Sequence, residues 1–508
     1  MRLLLHFARF GPYHHTRLRA VAAALAPEGW EVIGLETASK DITYAWDEVR
    51  AEEMYGTSAI GLRTLFPGRV YEEITPVECR RGLYEALEEL APDAVAVAGW
   101  GTVDARLSLR WCRKRGVKAI VMSETREADG RRIWWKEKVK SMIMRHAHGA
   151  IVGGRSHRDY LVKLGIPRER IQFGYNVVDN AYFGAGRAGG ASAEGSGQLA
   201  EGSGPLAEGS GPLAEGSEPL AVGGGQWAVG GVEGETPMFL AANRFVGRKN
   251  LDRLLAAYAL YCQSYSAYCQ PPSGEAAPPT AYRQPPTADC QPPTGEAAPP
   301  TGEAAPPTAN CQPPTAHDPW SLCLLGDGPL RERLIAQCHE LGLNVIEFAP
   351  WEISQPLTAG SPLLSAEGAP PTADRPPSTG EAATPSVYFP GFRQIEELPR
   401  FYAAAAAFIH PAFEEPWGLV INEAMAAGLP VLSGSNVGAA EELIEEGETG
   451  WTFDATDLGA MASAMTRLAS LPVADRLAMG ARAADLLEER CPTRAFGQGI
   501  RNLLTVHG

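Results

Sequence analysis

The sequence predicts an α/β protein built as two doubly wound, Rossmann-like halves that face a central cleft. Three observations carry this reading. Short, continuously apolar segments alternate with amphipathic stretches, as parallel strands buried on both faces alternate with their crossover helices. The alternation runs once and then restarts near Met238. The 508 residues also exceed one ordinary domain.

In order, "RLLLHFA", "EVIGLE", "AVAVAG" and "KAIVMS" read as strands. "TRLRAVAAAL", "RGLYEALEEL" and "RLSLRWCRKRG" are the helices between them, and "GAIVGG" and "IQFGYNVVDN" close the first half. The second half has strands "MFLAAN", "SLCLLGDG", "NVIEFAP", "SVYFPGF", "AFIHPAF" and "PVLSGS". Its helices are "NLDRLLAAYALY", "PLRERLIAQCHELG", "IEELPRFYAAAA" and "GLVINEAMAAG". His6 and Arg9 interrupt the first apolar run and no small-residue cleavage site follows, so it reads as a strand and not a signal peptide. No run approaches the roughly 18 apolar residues of a spanning helix. The nine cysteines form no C-x-x-C pair, which argues against a disulfide framework or zinc ribbon and for a reducing cytoplasm.

Three segments break the pattern. Residues 184–236 repeat "AEGSGPL", 267–318 repeat "GEAAPPT" and "QPPT", and 353–386 carry degraded copies. The seven-residue period does not indicate a coiled coil, because every repeat holds Pro or Gly and no apolar seam recurs. These segments are expected to be disordered inserts in loops. They account for most of the net charge of −15, so the folded body is nearly neutral. The expected domains are 1–183, a linker at 184–236, a second domain at 237–480 carrying the other two inserts, and a helical segment at 481–508 packing back toward the first domain.

Two stretches of the second half carry chemistry. In "EEPWGLVINEAMAAGLPV", a helix from Gly418 to Ala427 follows a strand and a loop. Its apolar surroundings place Glu423 inside, where the carboxylate needs hydrogen bonds. Two adjacent hydroxyls, as on a ribose, would satisfy it. The helix N-terminus offers free N–H groups to an anion, and Glu415 stands beside it. In "AANRFVGRKN", Arg244 and Lys249 flank a strand-to-helix turn that suits a phosphate. Gly326, in "LLGDG", marks a second such turn but lacks a dinucleotide fingerprint. Walker A and D-x-D sequences are absent, so neither a P-loop nor an obvious metal-presenting acid pair is predicted.

These residues resemble the family-4 (group 1) retaining glycosyltransferases of the GT-B superfamily. The resemblance runs from about Met238 to the C-terminus once the inserts are skipped. Its most specific part is the E-x7-E signature from Glu415 to Glu423. It implies that Glu423 binds the donor ribose, that Glu415 lies by the donor sugar, and that Arg244 and Lys249 grip the diphosphate. Asn243 replaces the family's usual Gly, and Trp417, Gly418, Leu419 and Gly326 fall among the donor-binding positions. "SNVGAAEELI" resembles the family's Gly-Gly…Glu stretch, with Gly438 kept, Ala439 in place of the second Gly, and Glu442 aligned. The implied activity is metal-independent, retaining transfer, with no cofactor, from a nucleotide diphosphate-sugar to a glycan, lipid-linked or small-molecule acceptor. No nucleic acid partner is implied. A nucleotide-sugar epimerase, a phosphorylase, or a non-catalytic scaffold binding partners through its Pro-rich repeats are the alternatives.

The first half is less specific. "RFGPYHHTRLRA" fills the first strand-to-helix turn, where Gly11 suits close backbone approach and His14 and His15 are acceptor-side candidates. Many relatives place a His after the fourth strand. Here that place reads "VMSETREADG", so the role passes to Ser123 or Glu124. Residues 130–149 form a basic amphipathic stretch with Trp134. It is expected to pack its apolar face on the sheet, with peripheral contact to an anionic membrane as the second reading.

Overall fold

The computed structural model describes residues 1–42, 61–188, 237–269, 319–348 and 386–505. The three biased segments, and with them the expectation of disorder, lie outside the described residues except at their edges.

The first half is a seven-stranded, wholly parallel sheet in the order β3-β2-β1-β4-β5-β6-β7. Its strands are β1 (Arg2–Phe7), β2 (Glu31–Lys40), β3 (Leu62–Val70), β4 (Ala94–Ala98), β5 (Lys118–Ser123), β6 (Gly149–Val152) and β7 (Ile171–Phe173). The sequence reading missed β3. Pro67 and Gly68 disguise it, and it sits at the sheet edge, where a missing N–H costs no ladder bond.

The second half is also seven-stranded and parallel, in the order β10-β11-β9-β8-β12-β13-β14. Here the strands are β8 (Met238–Ala242), β9 (Ser321–Leu325), β10 (Asn344–Ile346), β11 (Ser386–Gly391), β12 (Ala407–His410), β13 (Val431–Gly434) and β14 (Gly450–Phe453). β8, β9, β12 and β13 are buried at every position, as continuous apolar runs require of inner parallel strands.

In each sheet the strand order reverses direction once beside the first strand: between β1 and β4, and between β8 and β12. A crevice at the strand ends forms at such a point. The loops that open there are residues 8–11 in the first half, and 243–250 and 411–418 in the second.

The C-terminus crosses between the halves. The helix Val473–Arg490 packs on the second half. Thr493 Oγ1 then donates to the Val178 carbonyl at 2.8 Å. The helix Ala495–Thr505 buries Phe496, Ile500 and Leu503 against Leu3, Leu5 and Val21 of the first half. Its close approach needs Gly497, where a Cβ would stand 2.1 Å from the Ala20 carbonyl oxygen.

The helix Trp134–Met144 departs from expectation. Only Met144 of it is buried. Ile133, Trp134, Trp135, Val139 and Met142 are all exposed, Trp134 by 77%. Most of the apolar face does not pack on the sheet; Ile143 and Met144 at its C-terminal end join the core. Lys140 and Glu137 of the other face instead bond Tyr160 of the helix Arg155–Leu164. No described helix is long and apolar enough to cross a membrane.

Candidate functional site

The two second-half loops at the switch point are tied into one unit. Asn250, in the left-handed region at φ 59°, donates from Nδ2 to the carbonyls of Pro411 (2.9 Å) and Ala455 (2.8 Å). Phe413 N–H bonds the Arg248 carbonyl. This union brings Lys249 Nζ to 2.7 Å from Glu415 Oε2, with Arg248 Nη1 at 3.6 Å. Burial holds the Lys249 ammonium below its usual range, and the Glu415 charge opposes that shift. Arg244 lies half-buried in the same loop. Asn243 is buried and neither atom of its amide has a hydrogen-bond partner among the described residues. Gly326 is obligatory beside it, since a Cβ would meet the Asn243 carbonyl oxygen at 1.9 Å.

The helix Leu419–Ala426 begins at Gly418, whose φ of 97° favours glycine. No side chain caps this helix, so the N–H groups of Leu419 and Val420 stay available, while that of Ile421 bonds the Gly418 carbonyl. Trp417 points elsewhere. Its indole is buried, donates to Asn422 Oδ1 at 2.8 Å and lies against Gly153 of the first half, where a Cβ would meet the ring at 2.7 Å. Leu419 is half-buried at the helix start.

Glu423 is 1% exposed, and two hydroxyls satisfy it as the sequence demands, but both are tyrosines. Tyr402 OH donates to Oε2 at 2.6 Å. Tyr13 OH reaches across from the first half to Oε1 at 2.7 Å. Burial pushes the Glu423 carboxyl up, and the tyrosine hydroxyls counter that shift.

The opposite wall comes from the first half. Gly11 precedes the helix Pro12–Leu25 and donates its N–H to His14 Nδ1 at 2.9 Å. His14 stacks on Phe7 with ring centroids 4.0 Å apart. Enclosure keeps it well below the usual imidazole range, with Arg17 adding to the effect. His15 is buried and held down to about 4, chiefly by burial. Ser123 is buried at the end of β5 and its Oγ accepts from Thr125 N–H at 3.2 Å. Glu124 follows, keeps an accessible surface and has no hydrogen bond among the described residues. Crowding by protein raises its carboxyl; Arg17 opposes this and Glu415 adds to it. Glu124 therefore lies within electrostatic reach of Glu415 across the cleft.

Several seam residues were invisible as such in the sequence. Arg126, 1% exposed, donates to Asp129 Oδ1 (2.9 Å), Glu441 Oε1 (2.8 Å) and the Glu415 carbonyl (2.8 Å). His157 Nε2 donates to the Pro416 carbonyl at 2.9 Å. The N–H of Arg155 donates to Glu442 Oε1 at 2.6 Å. Gly438 permits the Pro416 turn to lie against it, since a Cβ there would stand 2.0 Å from the Pro416 oxygen. Among the described residues, no group of three or more His, Cys, Asp or Glu is gathered as a metal site.

Two family models match this chain. Residues 15–182 match "Glycosyltransferase Family 4" and residues 368–470 match "Glycosyl transferases group 1". The second stretch contains Glu415 and Glu423 in the geometry just described. The chain belongs to the group 1, family 4 glycosyltransferases. Its fold is GT-B, as in the structures of Anabaena Alr3699/HepE with UDP and glucose (TM-score 0.55, 14% identity, 100% of both chains) and of sucrose-phosphate synthase from Thermosynechococcus elongatus (TM-score 0.56, 15% identity, 99% of this chain and 98% of that one). At these identities the likeness speaks for the fold. Curated relatives are nearer in sequence over short stretches. O-antigen chain mannosyltransferase B of Escherichia coli is 41% identical over 73 residues, 14% of this chain and 18% of that protein. D-inositol 3-phosphate glycosyltransferase of Salinispora tropica is 34% identical over 113 residues, 22% of each. The matched stretches thus span less than a quarter of these relatives. Within this GT-B chain, Arg244 and Lys249 fall outside both matched regions; Lys249 is placed by its Glu415 contact and Arg244 by its position in the switch-point loop.

Proposed function

We propose that this chain transfers a sugar from a nucleotide diphosphate-sugar to an acceptor hydroxyl, with retention of configuration and without a metal ion. The observation that carries the reading is the Lys249–Glu415 pair at the switch point of the second sheet, beside an uncapped helix N-terminus. A diphosphate would take Lys249, Arg248 and Arg244 as its cations, with the first-turn N–H groups of Leu419 and Val420 beside them. Glu415 would stand at the sugar. The departing diphosphate would accept the acceptor's proton as the C–O bond forms on the face it leaves, and the fixed cations would stabilise its charge. Glu423 would hold the ribose once Tyr13 yields its place. UDP and glucose in the HepE structure are consistent with a nucleotide-sugar donor here. The acceptor is a glycan, a lipid-linked or a small hydroxyl compound, and an anionic membrane is the proposed surface for the exposed Trp134–Met144 face.

The test is turnover. The purified full chain is incubated with UDP-, GDP- and ADP-sugars, with and without a panel of hydroxyl acceptors, and nucleoside diphosphate release and product anomer are measured. Acceptor-dependent release giving a retained product is expected. Acceptor-independent conversion of the donor into an isomeric nucleotide-sugar, with no net release of nucleoside diphosphate, would favour an epimerase, and no turnover of any donor would overturn the reading.

A further inference from the structure

The wall of the first half holds a cation that the donor chemistry does not use. Arg17 is 3% exposed, yet among the described residues it makes no hydrogen bond or ion pair, and its buried Nε has no partner there. Its guanidinium lies over the face of Tyr175, 4.4 Å from the guanidinium carbon to the ring centroid. A buried charge normally exists only when paired.

Position shows where a partner would come from. Arg17 lies four residues after Tyr13 on the helix Pro12–Leu25, so the two share one face. Tyr13 reaches across the cleft to Glu423, so this face lines the cleft. Tyr175 follows β7, Glu124 follows β5, and the Pro12–Leu25 helix follows β1; all three stand at the carboxyl ends of the first sheet. Glu124 lies near enough to Arg17 to feel its charge. Still, the two form no ion pair, and Glu124 has no hydrogen-bond partner among the described residues either. An acid and a base at the same strand ends that do not pair with each other can each take a partner from a bound molecule.

We propose that Arg17, backed by Tyr175, anchors an anionic oxo group, a phosphate or a carboxylate, on the acceptor. Such a group would set a neighbouring hydroxyl between Glu124 and Glu415. This deepens the glycosyltransferase reading and rests on it. It also gives the acceptor a chemical class: a hydroxyl compound that carries a negative charge near the reacting oxygen. A planar guanidinium stacked on an aromatic ring is suited to bidentate recognition of such a group.

The experiment uses the full chain, its Arg17→Gln and Arg17→Lys variants, and Glu124→Gln. Inorganic phosphate, glucose 6-phosphate, glucuronate and glucose are titrated by calorimetry, with and without bound nucleoside diphosphate. Vesicles of phosphatidylglycerol or phosphatidylcholine then compete with glucose 6-phosphate and separate a lipid headgroup from a soluble anion. The parent is expected to bind the anionic probes and not glucose. Arg17→Gln should weaken that binding at least tenfold, and Arg17→Lys should restore part of it. Glu124→Gln should keep anion binding, and nucleoside diphosphate affinity should be the same in the parent and both Arg17 variants. Circular dichroism confirms that each variant is folded. Equal anion binding by parent and a folded Arg17→Gln overturns the proposal, as does a parent that binds nucleoside diphosphate but none of the anions. A parent that binds no nucleoside diphosphate refutes the donor reading instead, while the phosphate titration still judges Arg17.

Discussion

Tyr13→Phe tests the least expected contact of the site. The substitution removes the hydroxyl that bonds Glu423 Oε1 at 2.7 Å and leaves the ring in place. A hydrogen bond to a charged group contributes about 1.5–3 kcal/mol. For domains of ordinary size this corresponds to a melting temperature lower by about 3–10 °C. The same contact should oppose donor binding. Glu423 is nearly inaccessible while Tyr13 covers it, so a ribose must displace that hydroxyl. Removing the competitor should therefore tighten nucleoside diphosphate binding, by up to about tenfold to a hundredfold on the same free-energy scale. Tyr402→Phe is the control. It breaks the bond to Oε2 at 2.6 Å from within the second half and should lower stability without freeing the cleft side of the carboxylate. Thermal melts and calorimetric titration at pH 8 read the two quantities separately. Opposite signs, lower stability with higher affinity, are the signature. A Tyr13→Phe variant that loses stability and binds nucleoside diphosphate no better than the parent would refute the assignment of Glu423 to the ribose.

Lys249→Ala should lower the turnover number by about 10²–10³-fold, the usual cost of losing one fixed donor of transition-state charge, while circular dichroism stays unchanged; parent-like turnover would remove Lys249 from the diphosphate site. His157 predicts a pH dependence. Its imidazole is held down to about 4 from 6.5, mainly by burial, while its Nε2–H bonds the Pro416 carbonyl. The unfolded chain takes up the proton first, so this stabilisation is complete above about pH 6.5 and is lost as pH falls toward 4, by about 3 kcal/mol in full. His157→Asn should flatten the melting-temperature profile between pH 7 and 4.5, and an unchanged slope would contradict the role given to His157. Vesicles containing phosphatidylglycerol should carry the parent upward in a flotation gradient at low salt, and phosphatidylcholine vesicles should not. Trp134→Ala with Trp135→Ala should abolish the effect; a parent that stays at the bottom removes the membrane.

Periodicity revealed most strands because inner parallel strands are apolar on both faces, as in β8 and β12. It failed at β3, where an edge position tolerates Pro67 and leaves no continuous apolar run, and at β14, a four-residue edge strand too short to show a period. That Glu415 and Lys249 share a crevice and that Glu423 is buried was legible, because spacing along one short loop or helix fixes which side chains meet. Tyr13, Arg126 and His157 were not, since their partners lie hundreds of residues away and no local pattern marks a side chain that crosses a seam. "SETREADG" does show a lone Arg among acids after a strand, but nothing there says that three of its hydrogen bonds end on Glu415, Asn436 and Glu441. The Trp134–Met144 stretch shows the converse limit. Amphipathicity identifies an apolar face, and only the packing of the neighbouring helix tells whether that face is covered.

The loop Glu415–Gly418 works on both sides at once. Its backbone belongs to the seam: the Glu415 carbonyl accepts from Arg126 and the Pro416 carbonyl from His157, both in the first half. Its side chain belongs to the donor crevice, where Glu415 pairs with Lys249. The two roles share the same peptide units, so a shift of the halves against each other moves the Glu415 carboxylate relative to the cations that would bind the diphosphate. On the proposed function, closure and alignment of the sugar would then be one event, and that closure would exclude water until the acceptor is in place. The acids of the E-x7-E spacing divide this labour. Glu423, fixed inside the helix, can only gain or lose hydroxyl partners, whereas Glu415 sits on the element that the first half positions.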